Sequence, residues 1–587
     1  MEAFLEIFKH LIYSILILLL FWSLGKLIIR EKLINNKFTF HLDIFISIIM
    51  GMSVVIFYLS LLSILGIVYK PLVLILLLGF YGIRYFKYNL KFYLNISLLL
   101  IVFLPILSLT LYPPTHWDDI SYHLPIAQSL LDLGNLSGND FIRYPYFPLN
   151  AEMLFTFGMI FNVKVAPVIS SICLFTLCIG VYGYIYQKTN SIVYSVLGII
   201  AVTSSQLLVF LSSVSYVDII LATFITATII LLLAYFENKS NSLMYISGTF
   251  LGVAAGIKYT ALITCVIAGI IFLLAIYVYK IKKMELFKFI GIVSLVGIPW
   301  YIRTYIFTGN PVWPFMSSIF GFGDIWNEDD YIGQFQDFEV NGVQKSISNL
   351  LKIPLYLSSD TQEAIALNMI LWFGFLIFIV YMKKNKEHLF LLLFITLYTL
   401  SWFYSVNLPR YYALIIPTLT LTCVLGFIYF LEQFRDKKIK NTLLILLIFS
   451  LFVSPIKYIN NKLEVDGIPP LTLKQDDSYL SNKLPTYQGT IFSKSLDGKT
   501  YALLNENMYY YAGGKSIGDW FGEARYSTIL GALDNEEKIY GHLKQLKVDY
   551  FFVNKLRLAE EQLLLLDYKT NFSKIYEDKS VVIFELK

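Results

Sequence analysis

The sequence predicts an α-helical polytopic membrane protein of about fourteen transmembrane helices, with a small extracytoplasmic α/β domain at its C-terminal end. Three observations carry this. Of 587 residues, 57% are hydrophobic and 15% charged, with a mean hydropathy of +0.65; soluble domains hold roughly 45–50% apolar and about 25% charged residues. Apolar runs recur from residue 11 to residue 458. Beyond 458 the polarity becomes ordinary, so the chain divides into a membrane region, 1–458, and a soluble region, 459–587.

A helix needs about twenty apolar residues to cross the hydrocarbon core. By that ruler the spans are 11–29, 43–66, 70–86, 94–112, 165–186, 191–211 and 216–236, followed by 243–257, 259–279, 287–307, 364–382, 388–405, 411–431 and 441–458. No basic stretch precedes the first run and no small-residue cleavage site ends it, so it reads as an uncleaved helix. Every second loop is basic: Arg30/Lys32/Lys37, Arg84/Lys87/Lys91, Lys188, Lys239, Lys280/Lys282/Lys283/Lys288, Lys383/Lys384/Lys386 and Arg435/Lys437/Lys438/Lys440. The positive-inside rule makes that side cytoplasmic. Both termini, the long loops 113–164 and 308–363, and the tail then lie outside the cytoplasmic membrane.

The tail carries strand-like runs at Val548–Val553 and Val581–Glu585, helix-like stretches at 528–546 and 556–567, and a Gly513-Gly514 turn. The net charge of +5 is spread through short loops, which argues against nucleic acid as a partner. Cys173, Cys178, Cys265 and Cys423 fall inside apolar runs and read as small buried hydrophobes.

The segment Tyr112–Ala127 holds the densest chemistry. Asp118 and Asp119 follow a membrane helix by six or seven residues, among His116, Trp117, Tyr122 and His123. On a short helix starting near Asp118, residues Asp119, Tyr122 and His123 share a face. A carboxylate at a low-dielectric surface can act as general base toward a hydroxyl or amine. Two other readings stay open: Asp118 as a helix cap with Asp119 as first-turn charge, and His116, Asp118, Asp119 and His123 as ligands of a divalent cation. Further along, Asp218 ends an apolar span, Lys258 separates two, and Arg410 edges another. Ionisable groups cost about 2.5–3.5 kcal/mol at a helix centre on insertion scales. The bland alternatives are capping for Asp218 and snorkelling for Lys258 and Arg410, and Arg303 could snorkel equally well. Aromatic residues around Arg143–Pro148 suit both a sugar or acceptor platform and an interfacial belt, the belt fitting most of the rings better, with Asn150 and Glu152 just beyond, and the acids of 326–330 read as solvated loop charge.

Four stretches together resemble the GT-C class of integral-membrane glycosyltransferases, which use polyprenyl-phosphate-linked sugars. The class includes protein O-mannosyltransferases and the enzymes that add aminoarabinose or galacturonate to lipid A. Asp118-Asp119-x-x-Tyr122 resembles the acidic motif of its first external loop, and Gly256–Thr260 (Gly-Ile-Lys-Tyr-Thr) its Lys-bearing element. Thr308–Phe315 (Thr-Gly-Asn-Pro-Val-Trp-Pro-Phe) and Leu408–Tyr412 (Leu-Pro-Arg-Tyr-Tyr) are similar to later elements of bacterial members. The chain departs from the best-known members in two ways: Asp119 replaces the commoner Glu, and three spans precede the helix that leads into the acidic loop where those members have one.

The resemblance implies an enzyme that moves a hexose or pentose from a polyprenyl-phosphate donor to an extracytoplasmic lipid, glycan or protein, with inversion. It implies Asp118 as the base with Asp119 assisting, and Tyr122, His123, Asp218, Lys258 and Arg410 as substrate-binding residues. The rival reading is a transporter or flippase of lipid-linked glycans, which would favour mid-bilayer ion pairs and repeat-related broken helices.

Overall fold

The computed structural model describes residues 2–29, 38–85, 102–136, 142–323, 326–358, 367–382, 385–505, 509–514, 516–518 and 523–587. Among them, eight helices are long and apolar enough to cross a membrane: Glu2–Ile28, Phe40–Ile64, Ala166–Thr189, Asp218–Asn238, Ala261–Tyr279, Lys283–Thr308, Lys386–Tyr404 and Lys437–Asp466. Four shorter apolar helices accompany them, Val102–Leu111, Ile192–Thr203, Met369–Tyr381 and Ile416–Leu431. The expected span 243–257 is the helix Asn241–Ala255, and 70–86 is one short helix, Lys70–Leu74, continued by a tighter 3-10 segment, Ile75–Tyr85. Residues 94–101 of another expected span lie outside the described residues, as do Arg30, Lys32, Lys37, Lys87, Lys91, Lys383 and Lys384.

Some expected spans are shorter or broken for a local reason. The run 191–211 stops at Thr203 and restarts at Gln206, because the Ser205 side chain accepts a hydrogen bond from the Leu208 amide and caps a new helix. Elsewhere the helices approach to backbone contact. A Cβ on Gly25 would lie 1.7 Å from the Ser47 carbonyl oxygen, and one on Gly51 1.7 Å from that of Phe21. Such contacts let dispersion hold helices together where lipid supplies no hydrophobic drive.

The helix Ala166–Thr189 marks the two faces of the bundle. At its start Lys164 pairs with Asp476 of the tail at 2.8 Å, and at its end Lys188 pairs with Glu387. The tail therefore sits at the end of this helix opposite the basic Lys188. The last long helix runs on to Asp466 and stops at Gly467, whose φ of 73° only glycine adopts readily.

Beyond it, five strands form one sheet in the order β2-β1-β3-β5-β4: β1 Thr500–Leu503, β2 Ser516–Ile517, β3 Tyr550–Asn554, β4 Phe572–Glu577 and β5 Val581–Leu586. β1 pairs in parallel with β2 and β3, while β5 runs antiparallel to β3 and β4. One face of the sheet buries Tyr501, Phe551, Val553 and Phe584, and the other Ala502, Phe552 and Ile583, so both sides are covered. The domain docks on the first long loop: Ile120 packs with Leu480 and Tyr487, and the Tyr511 hydroxyl donates to the Pro114 carbonyl at 2.5 Å.

Candidate functional site

After Pro113 and Pro114 end the preceding helix, the chain winds through five residues, Asp119–His123, as a π-helical turn before the helix Leu124–Leu133. With more than four residues per turn, this segment brings positions i, i+4 and i+5 to one side. Asp118, Tyr122 and His123 accordingly line one cavity of about 300 Å³. Asp119 does not join them. It faces the opposite way, into a small crevice with His116, Ser215, Lys462 and Tyr479. The shared face expected of Asp119, Tyr122 and His123 is thus replaced by one led by Asp118.

Three other elements complete the cavity. Lys258 lies in the break between helices Asn241–Ala255 and Ala261–Tyr279, and its Nζ donates to Asp218 Oδ1 at 2.8 Å. Arg410 stands on a 3-10 turn, Pro409–Leu414, anchored by Trp402 Nε1 donating to the Leu408 carbonyl at 2.9 Å. Its Nη1 meets Asp118 Oδ2 at 2.9 Å and its Nε lies 3.8 Å from Asp218 Oδ2. Two buried carboxylates and two cations therefore form a line, Asp118–Arg410–Asp218–Lys258. Tyr411 lies under Lys258, 4.0 Å from its ring centroid, and Tyr216 under Arg410 at 4.9 Å. Neither carboxylate caps a helix through its side chain, and neither cation snorkels away.

The motifs noted in the sequence converge here. The Tyr259 hydroxyl donates to the Trp313 carbonyl at 2.9 Å, tying the Lys258 break to the Thr308–Phe315 loop. Asn150 does the same for the first long loop: its amide donates to Gly256 O at 2.9 Å, and its side chain accepts from Trp300 Nε1 at 2.7 Å. Arg303 is no interfacial anchor; it is buried and donates to the Leu136 and Pro145 carbonyls at 3.0 and 3.1 Å. Nor are the acids of 326–330 all solvated. Asn327 and buried Asp330 form a reciprocal cap on the helix Glu328–Asn341.

Burial raises the Asp119 carboxyl well above the ordinary Asp range, with Asp118's charge adding to it and a backbone hydrogen bond from Ser215 opposing it. His116 is lowered to about 3, chiefly by burial and then by Lys462, so it stays neutral. His116 and Asp119 share one crevice and Asp118 and His123 line the other cavity. Among the described residues no three His, Cys, Asp or Glu side chains are grouped as around a metal ion. Sequence reading passed over Glu152, whose Oε1 lies 2.6 Å from His123 Nδ1 inside the cavity. An acid within the apolar stretch Ala151–Ile160 was the available signal. Tyr216, Gln334 and Tyr411 also line the cavity, and no spacing rule marks them.

The family model for a domain of unknown function, DUF8201, matches residues 8–417, more than half of the chain and every residue that lines this cavity. The chain belongs to the DUF8201 family. A second model, described as SF2091/S2213, matches residues 475–585, the sheet domain that follows the DUF8201 region. The uncharacterized protein SF2093/S2215 of Shigella flexneri is 29% identical over 130 residues, 22% of this chain and 65% of that one, so the chain spans about two thirds of that relative's length. Among solved structures, ArnT from Cupriavidus metallidurans in the apo state superposes with a TM-score of 0.56 at 13% identity, over 84% of this chain and 97% of that one. That likeness shows the GT-C-like fold for this DUF8201 member. The oligosaccharyltransferase AglB from Archaeoglobus fulgidus, in complex with an inhibitory peptide and a dolichol-phosphate, aligns more loosely, with a TM-score of 0.47 at 14% identity over 79% and 70% of the two chains.

Proposed function

We propose that the chain is a membrane glycosyltransferase that moves a sugar from a polyprenyl-phosphate donor to an extracytoplasmic acceptor, with inversion at the anomeric carbon. The observation that carries this reading is Arg410, whose guanidinium contacts both Asp118 and Asp218 beside Lys258 at the wall of one cavity. Guanidinium and ammonium groups at such a place suit a phosphate. The four charges sum to zero, so each carboxylate offsets a cation. An entering phosphodiester competes with Asp118 for Arg410. The exchange would release the Asp118 carboxylate toward the acceptor only when donor is bound.

In this scheme Asp218 holds Lys258 and Arg410 in position, and Asp118 takes the acceptor's proton. Tyr122 and His123 border the acceptor. Asp119, turned away and with its carboxyl pushed upward by burial, acts through the turn that sets Asp118 rather than on the substrate. The phosphate is a good leaving group, so positioning and charge stabilisation supply most of the rate. Asp118→Asn tests the central assignment. General base catalysis contributes roughly 10²–10⁴-fold, so kcat should fall by about that factor with donor affinity retained. Unchanged kcat would remove Asp118 from the reaction.

A further inference from the structure

The His123–Glu152 pair lines the same cavity, and the scheme so far gives it no chemical role. Transfer from a phosphodiester-linked sugar to a hydroxyl or amine breaks the acceptor's O–H or N–H bond and the anomeric C–O bond. It makes one glycosidic bond and yields a phosphate monoester, with one more negative charge, and one proton. Asp118 receives that proton and must lose it before the next turnover, because Arg410 can re-pair only with the carboxylate form.

Glu152 stands in the first turn of the helix Asn150–Met159 and is buried. Its Oε1 lies 2.6 Å from His123 Nδ1, and its Oε2 is buried without a hydrogen-bond partner among the described residues. A carboxylate only accepts, so Nδ1 carries the hydrogen and Nε2 keeps its lone pair. Nε2 has no hydrogen bond among the described residues, and His123 lines the cavity together with Asp118, five positions earlier on the same π turn. The His123 ring also faces the Tyr122 ring at 4.1 Å and the Phe155 and Tyr216 rings at 6.3 Å, with Asp218 close enough to interact electrostatically. Arg303 acts in the same way on Glu152. Two carboxylates, Glu152 and Asp218, thus stand around the ring.

We propose that His123 and Glu152 form a proton relay, in which protonated Asp118 hands the acceptor's proton to His123 Nε2 and Glu152 holds the imidazolium until the proton leaves to water. The inference rests on the glycosyltransferase reading, and it makes His123 and Glu152 positioning and relay residues rather than groups that touch the reacting carbon. The histidine cation also offsets the extra charge on the lipid phosphate product, so the relay couples proton release to product departure.

The test uses purified full-length protein and radiolabelled decaprenyl-phosphate hexoses and pentoses, with host-cell membranes as acceptor. Glu152→Gln and His123→Gln should each lower kcat by about 10²-fold while leaving the donor KM unchanged. Added imidazole should restore turnover to His123→Ala, a response that a merely structural histidine would not give. Full turnover in both Gln variants, or a His123→Ala loss that imidazole does not move while donor still binds, overturns the relay and leaves the glycosyltransferase reading standing. Absence of any transfer by the unmodified protein removes both.

Discussion

Asp118 and Asp119 are neighbours in the chain and stand in opposite surroundings. The first pairs with Arg410, and the second is buried with its Oδ1 unpartnered among the described residues. Burial raises the Asp119 carboxyl above its unfolded value, so its protonation favours the fold. That contribution is full below the unfolded value and is lost as pH rises through the folded one. Asp119→Asn mimics the protonated acid, so its thermal midpoint should stay level over the pH interval above the unfolded value in which the unmodified protein declines. A variant that declines in parallel with it would show that another group carries the titration. For Arg410→Ala the expectation is harsher, since removing one partner of a buried ion pair costs about 3–5 kcal/mol. Denaturation of the purified variant in detergent would reveal that loss, and unchanged stability would mean that Asp118 and Asp218 find other partners. Asp218, Lys258 and Arg410 were visible in the sequence as ionisable groups at or beside apolar spans, and Asp118 as an acid in the loop just past one. Which of two adjacent acids leads the site was implied only by the resemblance, because a reading at α-helical spacing points Asp119 inward whereas the π turn brings Asp118 to the cavity.

Among the elements, the interruption at Gly256–Thr260 does most to shape the cavity. A Cβ on Gly256 would lie 2.2 Å from Asn150 Nδ2 and 2.6 Å from Trp300 Cδ1. Gly256→Ala should therefore push Asn150 aside and disturb Lys258 two residues later. Overpacking of this kind typically costs about 1–3 kcal/mol, and the donor KM should rise with it. Gly269→Ala, where an added Cβ meets nothing within 4 Å, is the matched control. Equal behaviour of the two variants would remove the packing argument. The four motif stretches were legible as separate signals, and their convergence was implied only by resemblance. Long-range bonds such as Tyr259 to Trp313 and Asn150 to Trp300 join them, and no periodicity in one segment foretells its partner in another. The ends of spans were likewise hidden, since a twenty-residue ruler reads through a cap such as Ser205.

At the scale of the whole molecule, the cavity-bearing loop and the sheet domain lie together, with Lys188 at the far end of the helix that begins beside them. We propose, from the basic loops, that this far end faces the cytoplasm. A reporter active only in the cytoplasm, fused after Lys587, should stay silent, and a strong signal would reverse the sidedness on which donor and acceptor access depend. The division into membrane region and sheet domain was legible because composition changes along the chain. The docking of the sheet domain on Pro114 and Ile120 was not, since its contacts are single aromatic and aliphatic side chains scattered through the tail. The most direct test of the central claim is transfer itself. Purified protein in detergent, given radiolabelled polyprenyl-phosphate sugars and host membranes, should move label from lipid to acceptor, and Arg410→Ala and Asp118→Asn should abolish or sharply reduce that turnover. If label instead only crosses reconstituted vesicles with its lipid-phosphate bond intact, the protein is a transporter and the glycosyltransferase account is wrong.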